Sequence, residues 1–451
     1  MLSDPIAALA TPPGRSALAV LRLSGNGAFD IARRVAPSFR AEPARTARLA
    51  RFVASDGTAI DRGLYLAFPA PASYTGEDMV EFTCHGGLVT PLQLLEALFA
   101  AGARPAFAGE FTRRAVLNGR MDLVQAKGVG DLIEATAPAQ ARAALHQVEG
   151  GLSRRIAVLR ESLLQLEALL AYDVDFPEED DGPVARDRLL SALADVADQV
   201  DRLLASAPTG ERLREGALVV LAGAPNAGKS SLFNALLGHQ RAIVTELAGT
   251  TRDAIEAHTD FMGWPIRLVD TAGLGDSAAR LDVLGMEVSR RYVEAADLVI
   301  HCVEAGGQAD RRTDGQTDAG SEHDVSDLSD VCVLVRTKTD LGRPSGPGIP
   351  ISVVTGEGID QLRREAGERL FGARLPLADL EPALTRGRHR EALTRARLAL
   401  SQVRPHLEPG GDAVLAAHHV RSATHALDVL VGTVDIEEIL DRLFAGFCVG
   451  K

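Results

Sequence analysis

Apolar and polar residues follow three different patterns along the chain. In residues 1–118, the runs SALAVLRLSG, RLARFV and LYLAFPAP have the composition of short strands. The run LVTPLQLLEALFAAGA in the same segment has the apolar spacing of a helix. Strands mixed with a helix predict an α+β module over residues 1–118.

The second pattern, from 119 to 213, has the spacing of amphipathic helices. Two apolar stripes step by fours and threes on either side of the acidic, proline-broken stretch DVDFPEEDDGP. Such stripes bury themselves against partner helices, so they predict part of a helical bundle. The two stripes are Leu152, Ile156, Leu159, Leu163, Leu166 and Leu170, then Leu189, Leu193, Val196, Val200 and Leu203.

The third pattern, from 214 to 374, alternates strand, turn and helix, and helix then resumes over 375–451. The run VDIEEILDRLFAGF predicts the last helix, with Asp435 and Glu438 spaced as a capping box. Helical segments on both sides of an α/β unit predict a bundle interrupted by an inserted domain. Within that domain, residues 304–330 are acidic and almost free of apolar side chains, which predicts a disordered surface loop.

Composition is typical of a globular protein. A length of 451 residues suggests about three domains, and 46% hydrophobic and 24% charged residues are ordinary values. The sequence has no signal-peptide pattern and no apolar stretch of ~20 residues, so we expect no membrane association. Four cysteines without paired spacing predict a cytoplasmic protein with reduced thiols. No zinc-ligand spacing is present, so we expect no transition metal.

The net charge of −13 argues against broad electrostatic capture of a nucleic acid. An RNA substrate would therefore have to meet a local basic face or a basic partner protein. The run TRGRHREALTRARLAL from Thr385 is one such basic segment. Both a solvated helix face and an RNA contact are compatible with it.

The strongest chemical signal is GAPNAGKS, which follows the apolar run 217–222 and precedes a helical pattern. It matches the phosphate-binding loop G-x-x-x-x-G-K-[ST] in its strand–loop–helix context. The backbone N–H groups of such a loop form an anion nest at a helix N-terminus. Lys229 can reach the β- and γ-phosphates, and the Ser230 hydroxyl can ligate Mg²⁺.

Three downstream elements favour GTP over ATP. In IRLVDTAG, Asp270 suits the second coordination shell of Mg²⁺, and the Gly273 N–H can meet the γ-phosphate. In IVTELAGTTRDA, Thr251 can supply a second hydroxyl to Mg²⁺. Asp340, in TKTD, can accept from guanine N1–H and N2–H₂, which adenine does not offer. The predicted GTP-binding residues are Asn226, Ala227, Gly228, Lys229, Ser230, Ser231, Thr245, Glu246, Leu247, Ala248, Gly249, Thr250, Thr251, Asp270, Thr271, Ala272, Gly273, Thr337, Lys338, Thr339, Asp340, Ser352, Val353 and Val354.

Two positions depart from the usual GTPase pattern. Thr337 stands where GTPases have an Asn that braces the nucleotide loop and the base, and its shorter reach predicts a lower nucleotide affinity. Val353 follows Ser352 where Ser-Ala is usual. Asp340 still supports guanine.

Several longer motifs are more specific than a phosphate-binding loop. They are ATPPGRSALAVLRLSG, SYTGEDMVEFTCHGG, GEFTRRAVLNGRMDLVQAKGVGDLIEAT, the series GAPNAGKSSLFNAL, IVTELAGTTRD and DTAGL, and the terminal FCVGK. Together they resemble the tRNA modification GTPases known as the MnmE or TrmE family, over nearly the whole chain.

The resemblance implies a multidomain fold. Residues 1–118 would be an α+β domain that binds a tetrahydrofolate and dimerises. Residues 119–213 and 375–451 would form one discontinuous α-helical domain, and 214–374 an inserted α/β P-loop GTPase domain, the G domain.

The resemblance also implies an activity. The homodimer would join an FAD-dependent partner in a heterotetramer that attaches an aminomethyl or carboxymethylaminomethyl group to carbon 5 of the wobble uridine of certain tRNAs. The one-carbon unit would come from a 5-formyl- or methylene-tetrahydrofolate. GTP hydrolysis would need Mg²⁺, K⁺ and pairing of two G domains.

Carried over position by position, the resemblance implies K⁺ ligation by Asn226, Thr245, Leu247 and Thr250, so that K⁺ replaces an arginine finger. Asp282 stands where the family has a Glu that orients the attacking water, and the alternative is a helix-capping acid.

The folate contacts carry over to Arg22, Glu81, Arg120 and Lys451. Arg120 stands where Lys is common, which changes the hydrogen-bond geometry.

Three readings of the tail FCVGK are open: a lipidation motif, a frayed terminus, or a segment folded back into a site. Gly450 and Lys451 do not suit prenylation, and the resemblance favours the third reading, with Cys448 near the one-carbon unit. Cys448 as a nucleophile and Cys448 as an inert buried thiol both remain open. His85 is either a pocket ligand or a residue that braces a turn, and we favour the brace.

The competing function is a GTP-dependent switch in ribosome assembly without base chemistry. Such proteins usually carry a basic RNA-binding domain after the G domain, whereas this chain is acidic and returns to helix. A third hypothesis makes the N-terminal module a folate sensor that controls an ordinary GTPase.

Overall fold

The computed structural model describes residues 4–175, 184–238, 243–244, 255–270, 291–306, 331–343, 346–372, 384–431 and 450. They fall into two compact units. The first comprises Met1–Gly130 and His425–Lys451, and the second Asp131–Thr424.

The first unit is built on a six-stranded sheet. Its strands are β1 (Ile6–Leu9), β2 (Leu18–Ser24), β3 (Arg48–Val53), β4 (Ala59–Phe68), β5 (Met79–His85) and β6 (Arg104–Pro105), in the order β3-β4-β5-β2-β1-β6. All pairs are antiparallel except β1 with β6. The helices are α1 (Ala28–Val35), α2 (Thr90–Ala100) and α3 (Glu110–Leu117), and α4 (Leu123–Glu134) crosses the boundary between the units.

One face of this sheet is covered by helices, and its core contains alternate strand residues such as Leu21, Leu23 and Phe82 with Leu94 and Leu98 of α2. The alternation follows from the two-residue period of a strand. The predicted strands and helix of residues 1–118 are confirmed.

The second unit begins with helices α5 (Pro138–Val148), α6 (Gly151–Asp175), α7 (Arg186–Ala205) and α8 (Ala207–Glu215). Every residue of the two predicted apolar stripes is buried, and the six on α6 are fully buried. Because α6 packs against α7, these stripes face partner helices, as expected for a bundle.

The G domain follows, with strands β7 (Ala217–Gly223), β8 (Ile243–Val244), β9 (Ile255–Phe261), β10 (Trp264–Asp270), β11 (Leu298–Glu304), β12 (Cys332–Thr337) and β13 (Ile349–Pro350). The sheet order is β13-β12-β11-β7-β10-β9-β8. Strands β13, β12, β11, β7 and β10 are parallel, and β9 is antiparallel to β10. Helices α9 (Lys229–Leu237) and α10 (Ile359–Phe371) belong to this domain.

The bundle resumes with α11 (Gly387–Ser401), α12 (Val403–His406) and α13 (Ala413–Val431). Helix α11 packs against α7, so the helices before and after the insertion share one core. The multidomain fold is thereby confirmed. The predicted last helix with Asp435 and Glu438, and all of the predicted loop 304–330 beyond residue 306, lie outside the described residues.

Candidate functional site

The phosphate-binding loop joins β7 to α9 at one edge of the G-domain sheet. Gly223 has φ 138°, Asn226 φ 64° and Gly228 φ 83°. A Cβ on Gly223 would lie 2.3 Å from the Cys302 carbonyl oxygen, so only glycine fits. Position 226 has a left-handed backbone, which Asn adopts more readily than most other residues. These turns give the loop the shape of an anion nest.

Lys229 begins α9 and is buried beneath the loop. Its Nζ donates to the carbonyl oxygens of Gly223 and Ala224, both at 2.9 Å. Ser230 and Ser231 follow in the first turn and are exposed. The ammonium is therefore held at the loop, and two serines follow Lys229 in the first turn of α9.

Asp270 ends β10, next to β7 in the sheet, with Asp270 opposite Leu221 in the parallel register. Its side chain is buried at 2% exposure. Because carboxyl ends of parallel strands meet at one edge, the fold brings Asp270, the phosphate-binding loop and the end of β12 to the same side of the sheet.

Thr337 ends β12 and contacts the phosphate-binding loop directly. Its Oγ1 donates to the Ala227 carbonyl oxygen at 2.7 Å and lies 3.3 Å from that of Val303. The shorter reach of Thr predicted a lower nucleotide affinity, and that stays a prediction. The structure places the Thr337 hydroxyl within hydrogen-bond distance of the loop.

The base-side residues follow. Lys338, with φ 59°, pairs with Glu304 at 3.1 Å. Asp340 Oδ1 accepts from Ser352 Oγ at 2.8 Å, and Ser352 is fully buried. The Thr339 backbone N–H donates to Ile351 at 3.3 Å. The predicted Ser352 thus orients the Asp340 carboxylate, while Val353 is 36% and Val354 83% exposed beside it.

Part of the predicted nucleotide site lies outside the described residues. This part includes the potassium positions other than Asn226, the second magnesium hydroxyl and the water-orienting acid. The residues concerned are Thr245, Glu246, Leu247, Ala248, Gly249, Thr250, Thr251, Thr271, Ala272, Gly273 and Asp282.

In the first unit, Arg22 and Glu81 lie opposite each other on β2 and β5, with Arg22 Nε 2.8 Å from Glu81 Oε1. Both side chains are about one quarter exposed, at 25% and 23%. The Arg22 guanidinium lies 5.3 Å from the centre of the Tyr74 ring. Burial raises the pKa of Tyr74, whose hydroxyl pairs with Thr112 at 2.8 Å. A charged pair with an aromatic neighbour thus remains open to solvent.

Arg120 reaches the loop that carries Tyr74, where its Nε donates to the Ser73 carbonyl oxygen at 3.2 Å. Arg22 and Arg120 therefore both contact the segment 73–74. The structure brings together three of the four predicted folate positions through this loop and the β2–β5 pair, and Lys451 lies outside the described residues.

A buried network of ion pairs contacts the same loop at Glu77. Arg114, 1% exposed, pairs with Glu77 at 3.1 Å and with Glu110 at 2.9 Å. Arg104 pairs with Glu110 at 2.6 Å and with Asp4. Burial raises the pKa of Glu110, but hydrogen bonds from Arg104, the Phe107 N–H and Arg114 outweigh it, so the net pKa is lowered. Sequence reasoning missed this network, although Glu77, Glu110 and Arg114 lie in the quoted motifs SYTGED and GEFTRR.

Gly450 is the described part of the carboxy-terminal tail. It is buried, with φ 102°, and a Cβ on it would lie 2.3 Å from the Leu9 carbonyl oxygen. Leu9 is the last residue of β1, and its neighbour Ala8 lies opposite Arg22. Gly450 is thus packed against the strand beside Arg22. Cys448 lies outside the described residues.

Two other predicted positions have structural partners. His85 Nδ1 lies 2.8 Å from Asp61 Oδ1, and its backbone N–H donates to Asp61 Oδ2, which braces β4 against β5. In the basic segment from Thr385, three arginines form ion pairs. They are Arg386 with Asp131, Arg390 with Glu211, and Arg397 with Asp201.

No helix within the described ranges has the length and apolar character needed to span a bilayer.

Comparison with known proteins places most of the chain in two family models. The model described as "MnmE helical domain" matches residues 123–448, and that described as "GTP-binding protein TrmE N-terminus" matches residues 5–120. A protein named tRNA modification GTPase MnmE from Methylorubrum populi is 44% identical over 97% of this chain and 96% of its own length. Its namesake from Thermus thermophilus is 41% identical over the full length of both chains.

Similar solved structures cover only part of the chain. The G domain of the FeoB iron transporter of T. maritima is 28% identical over 34% of this chain and 98% of its own, with a TM-score of 0.25. Era of Aquifex aeolicus is 22% identical over 40% of this chain and 66% of its own, with a TM-score of 0.27. The assignment of a family therefore rests on the sequence matches.

Proposed function

The chain belongs to the MnmE family of tRNA modification GTPases, and we propose that it is a potassium-dependent member that modifies carbon 5 of the wobble uridine in certain tRNAs. It acts in the cytoplasm with an FAD-dependent partner and a tetrahydrofolate one-carbon unit, and it hydrolyses GTP to GDP and phosphate. The main support for the proposal is that Lys229, Asp270 and Thr337 lie at one edge of the G-domain sheet. The match of the chain to the family also extends over its whole length.

The geometry of the phosphate-binding loop fits GTP and Mg²⁺. The Gly223–Gly228 turn presents N–H groups to an anion, and the Lys229 ammonium can exchange its two carbonyl acceptors for phosphate oxygens. Ser230 offers an exposed hydroxyl and Asp270 a carboxylate at the same edge. When bound, Mg²⁺ neutralises charge that develops on the phosphates.

Potassium dependence is proposed from the match of Asn226, Thr245, Leu247 and Thr250 to the family motif. Asn226 is exposed in the loop with a left-handed backbone, so its amide oxygen is available to a cation. Asp282 is proposed to orient the attacking water. Replacing K⁺ by Na⁺ at constant ionic strength should reduce GTP turnover severalfold, and turnover indifferent to the cation would remove Asn226 from this role.

Guanine selectivity is proposed to depend on Asp340. The Ser352 hydroxyl donates to one carboxylate oxygen at 2.8 Å, which leaves the other free to accept from the base. The variant Asp340→Asn should shift preference from guanosine to xanthosine nucleotides, because the amide donates where guanine also donates. Retained GTP preference in nucleotide competition would contradict the contact.

The reduced folate is proposed to bind at Arg22, Glu81, Arg120 and Lys451. The Arg22–Glu81 pair, about one quarter exposed, offers donors and acceptors to a pterin edge, and Tyr74 offers an aromatic face beside it. Gly450 supports the proposed return of the tail, which would put Cys448 near the one-carbon unit. Arg22→Ala should weaken 5-formyltetrahydrofolate binding in calorimetry, whereas Arg51→Ala, exposed on β3 of the same sheet, should not.

Homodimerisation through the first unit is proposed to use the outer face of its sheet. Leu49 and Leu64 lie opposite each other on β3 and β4 and are 54% and 40% exposed, and Leu18 on β2 is 58% exposed. Exposed leucines on adjacent strands are typical of an interface. Leu64→Glu should convert a dimer to a monomer by light scattering.

Nucleoside analysis of tRNA tests the whole proposal against the ribosome-assembly alternative. Cells that lack the protein should lose the wobble-uridine modification, and a copy carrying Lys229→Ala should fail to restore it. Unchanged modification together with accumulated ribosome precursors would favour the switch.

A further inference from the structure

A small, partly open cavity lies where the chain passes between the helical bundle and the G domain. Its volume is about 70 Å³, and its lining includes Asp131, Gln140, Gln147, Arg214 and Thr385. Arg214 lies in the last turn of α8, directly before β7, and so marks the connection that enters the G domain. Thr385 precedes α11 and belongs to the connection that leaves it. The cavity therefore touches both connections.

Asp131 of α4 ties these connections together. Its Oδ1 accepts from Arg214 Nε at 3.3 Å and from Arg386 Nη2 at 2.7 Å. Burial lowers the pKa of Arg386, and the Asp131 charge opposes that effect. One carboxylate thus contacts an arginine from the incoming chain and an arginine from the outgoing chain.

Helix α5 contacts the same two connections and also the G-domain sheet. Gln140 Nε2 donates to the Arg214 carbonyl oxygen at 3.0 Å, and Gln147 Nε2 donates to Thr385 Oγ1 at 2.7 Å. The Ala139 N–H donates to the Gly263 carbonyl oxygen at 3.0 Å. Gly263 immediately precedes β10, whose other end carries Asp270 at the nucleotide edge. A shift of β10 would therefore act on α5.

Two buried acceptors of the cavity lack protein donors. Asp131 Oδ2 and Gln147 Oε1 have no hydrogen-bond partner in the described part of the chain, and Gln147 is only 3% exposed. A buried acceptor without a donor is costly. Arg214 and Arg386 beside Asp131 disfavour a metal cation, whereas water can donate to both oxygens. The volume of about 70 Å³ exceeds the ~10–15 Å³ that one water needs, so the cavity has room for water.

We propose that Asp131, Gln147 and the water between them form a hydrated joint that couples the nucleotide state of the G domain to the helical bundle. Water-mediated contacts can exchange partners at little cost, so the two connections can shift together without exposing the buried charges. The coupling part of the proposal rests on the proposed GTPase function, whereas the water site does not.

Hydrogen–deuterium exchange of the full chain tests the coupling. The amides of α5 should exchange at rates that differ by about fivefold between GDP and a non-hydrolysable GTP analogue, the lower end of ordinary coupling between two sites. Gln147→Met, which keeps the volume and removes both the free acceptor and the hydrogen bond to Thr385, should abolish the difference without changing GDP affinity. Asp131→Asn should also abolish the nucleotide-dependent difference in exchange of α5. If the Asp131→Asn variant does not fold, the result for Gln147→Met alone tests the coupling.

The matched control is Asp201→Asn, which breaks another carboxylate–arginine pair to α11, with Arg397, at 2.7 Å on the surface of the bundle. It should keep the nucleotide-dependent difference. Equal exchange of α5 with both nucleotides in the parent chain, or a difference retained in Gln147→Met, would overturn the joint. A chain that binds no guanine nucleotide would instead refute the proposed function.

A high-resolution crystal structure tests the water itself. We expect ordered water within about 3.2 Å of both Asp131 Oδ2 and Gln147 Oε1. A dry cavity, or a protein donor filling it, would overturn the site whatever the exchange data show.

Discussion

Removing the hydroxyl of Thr337 tests whether this chain has replaced the usual Asn brace of GTPases by a shorter one. Thr337 is 2% exposed, and its Oγ1 donates to the Ala227 carbonyl oxygen at 2.7 Å. The variant Thr337→Val preserves the shape of the side chain and removes the donor. The carbonyl oxygen of Ala227, a buried residue of the phosphate-binding loop, would then lack this partner.

The magnitude follows from that single bond. An unsatisfied buried acceptor costs about 1–3 kcal/mol, so the free energy of unfolding should fall by that amount. The loop also loses the tether that holds it in its nucleotide-binding shape. Since 1.4 kcal/mol corresponds to a tenfold change in affinity, we expect GDP to bind about tenfold more weakly. Titration with a fluorescent GDP analogue and a denaturant melt measure the two effects.

Two variants make the measurement specific. Thr337→Ser retains the hydroxyl and should bind GDP nearly as well as the parent chain. The Thr339 hydroxyl is buried and has no hydrogen-bond partner in the described part of the chain, so Thr339→Val should not lower the free energy of unfolding. The brace is refuted if Thr337→Val matches the parent in affinity and stability, or if Thr337→Ser is as weak as the valine variant.

Three further predictions follow from other contacts. Leu163→Ala, in the fully buried stripe of α6, should lower the free energy of unfolding by about 2–5 kcal/mol in a denaturant melt, whereas Val158→Ala on its exposed face should have little effect. Arg114→Met should destabilise the first unit by about 3–5 kcal/mol in the same assay, because Glu77 and Glu110 lose a buried partner. The pKa of Glu110 lies below its usual 4.5 when folded, so Glu110 stabilises the fold above that pH and loses its contribution as the pH falls below it. Melting temperatures of Glu110→Gln should accordingly depend less steeply on pH below about 4.5 than those of the parent chain, and an equal slope would contradict the lowered pKa.

Local sequence patterns predicted the elements because burial acts through a fixed period. Side chains of a strand point alternately to its two faces, and a helix returns to the same face every 3.6 residues. The spacing of Leu21 and Leu23 in β2, or of Leu159 and Leu163 in α6, therefore identifies the buried face without any knowledge of the partner elements. The phosphate-binding loop is also local: its glycines, Lys229 and Ser230 lie within eight residues, and the strand and helix around them complete the geometry. These features were available from the sequence for that reason.

Contacts between distant residues could not be predicted in this way. The GTPase pattern placed position 337 at the nucleotide loop, but it did not indicate that the Thr337 hydroxyl would reach the Ala227 carbonyl oxygen, 110 positions away. No pattern indicated that Asp131 would contact Arg386 at a separation of 255. The buried network of Asp4, Glu77, Arg104, Glu110 and Arg114 was likewise hidden, because charged residues are ordinarily expected at the surface.

The sequence alone determined the order of the domains, the buried faces of their helices and strands, and the phosphate-binding chemistry, since each depends on residues close together in the chain. Only the tertiary structure decided which hydroxyl braces the loop, where Gly450 of the tail packs, and which carboxylate joins the two connections of the G domain. Such contacts depend on how separate elements pack, and packing is a property of the whole core rather than of any segment.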